Sequence, residues 1–361
     1  MAIQFNPDRW AQVRETYTKW WDGSLKRPIF QVTQRSGAGP DPLPHVPVLS
    51  QATCADFSWT PEEVIDKIDW QLSGNLYHGD AYPVVSLSAF GPGIVAAMVG
   101  GKLDNSSGAV WFYPKDGTES IRDIHVEFDP HNRWLSRIKD LCWAGVKKWQ
   151  GNVLIGMTDL GGTLDILASL RGSEDLLYDL IDEPDEIKRI VKEIHTAWFQ
   201  IFDAINEVLQ PVNPGYTDWD MLYYPGPGYI LQSDFSFMIS PDMFREFGID
   251  ELAASAKRLA YPTYHLDGVN ALPHLDALLE IPELRMIQWQ PGAGQPTPEH
   301  WVDVYRRIVG AGKKAHIVSG LYESFDFVVD ALGSDENLYF ASGCTELTPE
   351  IQDRIQRYCR L

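Results

Sequence analysis

From about residue 80 onward, short apolar runs alternate with stretches whose apolar positions recur at three- and four-residue spacing. The runs are Tyr82–Leu87, Val153–Met157, Pro262–Leu266, Met286–Trp289, Ala315–Val318 and Leu338–Ala341, each followed by Gly, Pro, Ser or Asp before a helical pattern resumes. Continuous rather than alternating apolar character marks strands covered on both faces, so the pattern predicts parallel βα units. The longest helix is expected from Pro184 to Leu209, where Ile187, Ile190, Val191, Ile194, Trp198, Ile201, Phe202, Ile205 and Val208 form one stripe. Helix starts at Thr60-Pro-Glu-Glu63, Ser240-Pro-Asp242, Thr297-Pro-Glu299 and Thr348-Pro-Glu350 share one chemistry. A hydroxyl accepts from unpaired amides, proline occupies the first helical position where no donor is needed, and acid follows in the first turn.

Strand, turn and helix repeating at roughly 25–30 residues predict the α/β class, and within it a single (β/α)8 TIM-type barrel with long βα loops. The barrel is expected over 61–361, with residues 1–60 as an N-terminal extension packed on it. That extension reads as a helix from Pro7 to Trp21, a strand-like run Pro28–Thr33 and a Gly/Pro-rich loop, SGAGPDPLPHVP. A doubly wound open sheet is the alternative, although no GxGxxG or GxxxxGK[ST] follows any of the strands. The 361 residues are 44% hydrophobic, which excludes a disordered chain, and a formal net charge of −20 with no basic run makes nucleic acid and anionic membranes poor partners. No leader-like N-terminus or apolar stretch long enough for a membrane span is visible, and four scattered cysteines without CxxC suit a reducing compartment; a cytoplasmic location is expected.

If the barrel is right, chemistry gathers at the strand C-termini, which open on one face. The strand ending Tyr264-His265-Leu266-Asp267-Gly268 places His265 and Asp267 at i and i+2, on the same side of an extended chain. Cys344, in Ser342-Gly343-Cys344, ends the last strand at equivalent height. Together His265, Asp267 and Cys344 offer three zinc ligands with a position left open. Taken singly each has a plain reading: a turn-capping histidine, an Asp-Gly turn pair, a buried thiol. Asp159, in Thr158-Asp-Leu-Gly-Gly-Thr163, enters the mouth as a catalytic carboxylate or accepts from the amides of the next helix. The acidic, aromatic, Gly/Pro-rich segment from Asp218 through Tyr223 and Tyr224 to Tyr229, leading to Gln232, Ser233 and Asp234, reads as a long loop able to floor a ligand pocket or to pack as a lid with no ligand. Gln288, Trp289, Gln290 and His316 complete the candidates, with Trp289 as core or pocket wall.

The segments LIGMTDLGGTLDILASLRGSEDLLYDLIDEPDEIKRIV, SDFSFMISPDMFREFGIDEL, YHLDGVNALPHLDALLEIPELRMIQWQPG and ASGCTELTPEIQDRI resemble the uroporphyrinogen decarboxylase superfamily, over roughly residues 150–361. The resemblance implies a (β/α)8 barrel with one of two chemistries. The decarboxylase branch carries an Arg-Gln-Ala-Gly-Arg-Tyr run that meets substrate carboxylates. The corresponding Val32–Ala38 keeps Arg35 and lacks the second arginine. The other branch holds zinc-dependent methyltransferases that work with corrinoid proteins, binding zinc through a His-x-Cys pair and a later cysteine in a Gly-Cys context. Here these align with His265-Leu266-Asp267 and Cys344, one thiolate being replaced by a carboxylate.

The resemblance therefore implies a zinc enzyme moving a methyl group between a small thiol or methoxy compound and a corrinoid. No Asp-x-His-x-x-Gly motif occurs, so the corrinoid is expected on a partner protein. Asp159, His265 and Asp267 are the expected catalytic residues, with Arg35, Asp218, Tyr223, Tyr224, Gln288, Trp289 and His316 around the substrate and a homodimer as a possible assembly. Decarboxylation of a tetrapyrrole or another carboxylate, and a non-catalytic ligand-binding barrel, are the alternatives.

Overall fold

The computed structural model describes residues 3–35, 39, 41–115 and 120–360. The loop expected from Ser36, and the last three residues of the Val32–Ala38 stretch, lie in part outside the described residues. Among the described residues the strands are β1 (Ile29–Arg35), β2 (Asn75–Gly79), β3 (Val84–Ser86), β4 (Lys102–Asp104), β5 (Trp111–Tyr113), β6 (Leu154–Gly156), β7 (Gly228–Gln232), β8 (Tyr261–Asp267), β9 (Met286–Gln290), β10 (Lys314–Ile317) and β11 (Leu338–Cys344). Six stand parallel in the order β7-β8-β9-β10-β11-β1, and β2 adds an antiparallel edge beside β1. A separate parallel pair joins β3 to β6, and an antiparallel pair joins β4 to β5. The chain is thus a mixed α/β fold around a central, mostly parallel sheet.

Among the described residues the strand ladder does not run continuously around the eight-stranded ring expected from the sequence: it stops between β1 and β3 and between β6 and β7. Side chains and loops bond where rungs are missing. Asn213 donates from Nδ2 to the Ile155 carbonyl at 2.8 Å and accepts at Oδ1 from the Ile155 amide at 3.3 Å. The Met157 amide donates to the Thr217 carbonyl at 2.9 Å, and the Ile230 amide of β7 donates to Asp218 Oδ2 at 2.7 Å. Between β1 and β3, Asp80 exchanges two bonds with the backbone of Phe30, both at 3.0 Å, while Arg27 grips its carboxylate at 2.6 and 2.9 Å.

The helix Pro184–Leu209 forms as expected, its apolar stripe buried in the main core. Thr60 and Glu63 make a reciprocal capping box, and Ser240 and Thr348 accept from the Met243 and Ile351 amides. Thr297 differs: it opens a 3-10 turn, Pro298–Trp301, without a side-chain cap bond. The segment read as a long loop from Asp218 contains β7, whose five residues are all buried. At the N-terminal ends of the strands, Trp10, Val13, Tyr17, Trp20 and Trp21 of the helix Pro7–Trp21 pack with Ile29, Tyr82, Leu154, Met286 and Tyr339 into a second apolar cluster. Among the described residues no helix is long and apolar enough to cross a membrane.

Candidate functional site

A cavity of about 920 Å³ opens toward the C-terminal ends of β1 and β8–β11. Strand alternation decides what it sees. His265 of β8, Gln288 and Gln290 of β9, His316 of β10, and Tyr339, Ala341 and Gly343 of β11 line it. Ile287, Trp289, Ala315, Ile317, Leu338 and Phe340 point to the other side, into the main core. After β6, Gly161 sits at φ +79°, and a Cβ there would collide with the backbone of Gly93, so the two segments can approach this closely only as glycines.

Asp234, His265 and Asp267 each bring one ligand atom to within 4.8 Å of the others, the one such group of three or more His, Cys, Asp and Glu found among the described residues. Asp234 follows β7 by two residues and opens the 3-10 turn Asp234–Met238, which Asp165 fixes by accepting from the Asp234 and Phe235 amides at 3.1 and 2.6 Å. His265 Nε2 lies 3.8 Å from Asp267 Oδ2. Burial holds the Asp234 carboxyl above the ordinary carboxylate range, with His265 opposing and the Asp267 charge adding to it. Burial likewise pushes Asp159 and Asp165 up to about 7, in both cases helped by the Asp234 charge. His265 is raised as well: burial opposes its charge, but bonding to Asp267 and the charge of Asp234 outweigh it. Acids gathered around a partly buried imidazole stand in electrostatic tension that a cation relieves. One imidazole and two carboxylates are a donor set that zinc accepts, as do harder divalent ions.

Beside this group lies a second, hydrogen-bonded one. Gln288 joins its Oε1 to His265 Nδ1 and donates from Nε2 to Asp220 Oδ1 at 2.5 Å. His316 Nδ1 is 3.1 Å from Asp220 Oδ2, and its ring lies against Tyr339 at 4.2 Å between centroids. Trp219 meets the His265 ring edge-on at 5.1 Å.

Among the expected residues, the structure brings His265 and Asp267 together and sets Gln288 and His316 in the cavity wall, with Arg35 at its exposed rim. Asp159 is buried and accepts from the Gly161 amide at 3.0 Å, within electrostatic reach of Asp234 and His265. Cys344 does not join the donors: it shares the face of Leu338 and Phe340 in β11 and packs against the main core, so alternation turns it from His265. Trp289 is fully buried core, edge-on to Trp301 at 5.4 Å, rather than cavity wall. Tyr223 and Tyr224 belong to the aromatic cluster at the opposite ends of the strands, not to the mouth. Asp218 is buried beside them, accepting from Tyr224 Oη at 2.9 Å and from the Ile230 amide, a bracing role rather than a substrate contact. Asp234 and Asp220 both lie in the segment expected to floor a pocket, but neither was expected to hold a metal or to orient His265: Pro225-Gly-Pro-Gly228 disguises the start of β7, so the strand-end position of Asp234 is not apparent, and Asp220 carries no signal beyond its acidic loop.

The fold is similar to that of a solved structure described as a methyltransferase from Methanosarcina mazei, with a TM-score of 0.59 and 13% sequence identity over 96% of this chain and 98% of that chain. No protein-family model matches this chain, and no curated protein matches it.

Proposed function

We propose that this chain is a metal-dependent methyltransferase that moves a methyl group between the heteroatom of a small substrate and a corrinoid carried by a partner protein. The observation that carries the reading is the meeting of Asp234, His265 and Asp267 within 4.8 Å at the strand ends, beside a cavity that has room for a small substrate and whose wall includes His265. In this reading β3 and β6 complete the TIM-type cylinder begun by the other parallel strands, and Asp234 takes the place expected for Cys344. Zinc held by these three residues would supply Lewis acidity to a thiol or an ether oxygen, and a set without sulfur makes it a harder acid suited to oxygen.

The chain's own side chains do the remaining work. Trp219 and Tyr339 offer flat walls. Asp159, buried and pushed up to about 7, is poised to hold or release a proton near the donor group. Arg35 is the cationic side chain among the described lining residues, too little positive charge for a tetrapyrrole bearing many carboxylates, which ranks decarboxylation below methyl transfer.

Elemental analysis of purified protein tests the reading. It expects one equivalent of divalent metal, lost in His265→Ala and Asp267→Ala with the circular dichroism spectrum retained. It also expects metal-dependent loss of the methyl group from methylcobalamin when thiols or phenols are supplied as acceptors. Metal-free protein that releases CO₂ from uroporphyrinogen would overturn it.

A further inference from the structure

The hydrogen-bonded group behind His265 has a direction fixed by donor and acceptor chemistry. Asp220 Oδ1 lies 2.5 Å from one end of the Gln288 amide, and a carboxylate only accepts, so that end is the NH₂. The carbonyl end therefore faces His265. A carbonyl also only accepts, so the nitrogen facing it, Nδ1, carries the proton. What remains is Nε2, on the side of Asp267.

Nothing in this chain of bonds is loose. Gln288 is 4% exposed and cannot swing its amide into water. Asp220 is held twice, its amide donating to Asp218 Oδ1 at 2.9 Å and its Oδ2 facing His316 Nδ1 at 3.1 Å. His316 in turn is pinned against Tyr339. Three elements thus converge on the orientation of one imidazole: the Asp218–Asp220 turn, β9 and β10. The sequence reading gave Gln288 and His316 to the substrate; the bonding pattern gives them a different task.

We propose that Asp220, acting through Gln288 and steadied by His316, is a positioning residue that fixes His265 as the Nδ1–H tautomer and aims its Nε2 lone pair at the cation site formed with Asp234 and Asp267. The proposal rests on the metal-dependent reading above for its purpose, though not for its geometry. Partners of this kind on the far nitrogen of a metal-binding histidine fix the ring and raise its basicity, and their loss typically weakens metal binding about 10- to 100-fold.

The test uses the whole chain with Co²⁺ as probe, its affinity measured by chelator competition, together with ¹⁵N NMR of the histidine rings in metal-free protein. Wild type should show His265 protonated at Nδ1. Gln288→Leu, close in shape and unable to accept, should bind Co²⁺ about 10- to 100-fold more weakly and populate the Nε2–H tautomer. Asp220→Ala should move both readouts the same way without touching His265. Asp220→Asn, whose Oδ1 still accepts from Gln288 and whose amide can donate to His316, should restore both. If Gln288→Leu fails to fold, the two Asp220 variants carry the comparison.

Unchanged Co²⁺ affinity and an unchanged His265 tautomer in Gln288→Leu or Asp220→Ala overturn the proposal. Wild type that takes up no Co²⁺ overturns the metal-dependent reading instead; the tautomer comparison then still decides the positioning role on its own.

Discussion

Burial, and after it the charge of Asp220, push the carboxyl of Asp218 up to about 8. Glu251, partly buried beside His195 of the helix Pro184–Leu209, is pushed up to about 7 by its burial. An unfolded chain releases these protons near pH 4, so between that pH and about 8 the folded protein holds more protons than the unfolded one. Their contribution to stability is therefore complete below about pH 4 and is lost as pH rises through the folded values. Asp218→Asn removes one such group: its melting temperature should fall less steeply between pH 6 and 9 than that of wild type in scanning fluorimetry. Parallel slopes would mean that Asp218 is already ionised in the native state. At this same scale the sequence told part of the truth. His265 and Asp267 were legible because i and i+2 share a strand face, and the same counting from Phe340 turns Cys344 the other way. Asp234 was not legible, because its approach to His265 depends on where β7 ends rather than on any local spacing.

The elements that could be read are the ones whose burial leaves a continuous or helical apolar trace. Strands β3, β6 and β8–β11 fall within a few residues of their apolar runs, whereas β2, β4 and β5 are short, half-exposed antiparallel pieces that leave none. The helix Pro184–Leu209 owes its clarity to a stripe that is buried along its whole length, from Ile187 to Leu209. Ile194 is fully buried near its middle, so Ile194→Ala should cost about 2–5 kcal/mol in chemical denaturation with little change in slope. A cost below about 1 kcal/mol would show that this helix is not part of the cooperative core.

Across the whole molecule, the missing rungs are the least legible feature, because a ladder's closure depends on how strands meet at distances no local pattern records. Asn213 and Asp80 fill the two gaps, Asn213 by pairing both polar groups of Ile155 and Asp80 by pairing both polar groups of Phe30. Removing Asp80 leaves Arg27 buried without its partner, so Asp80→Ala should destabilise the protein by about 3–5 kcal/mol. Asn213→Ala, which unpairs both polar groups of Ile155 in a setting with no buried charge, should cost less, about 1–3 kcal/mol. Equal losses in urea melts would contradict this ranking. The tryptophan and tyrosine plug beneath the strands has a consequence for traffic. Among the described residues these rings close the cavity at the N-terminal ends of the strands, so in the proposed reaction a small substrate and a bulky partner share the mouth at the opposite ends, and a substrate that enters first is covered when the partner docks.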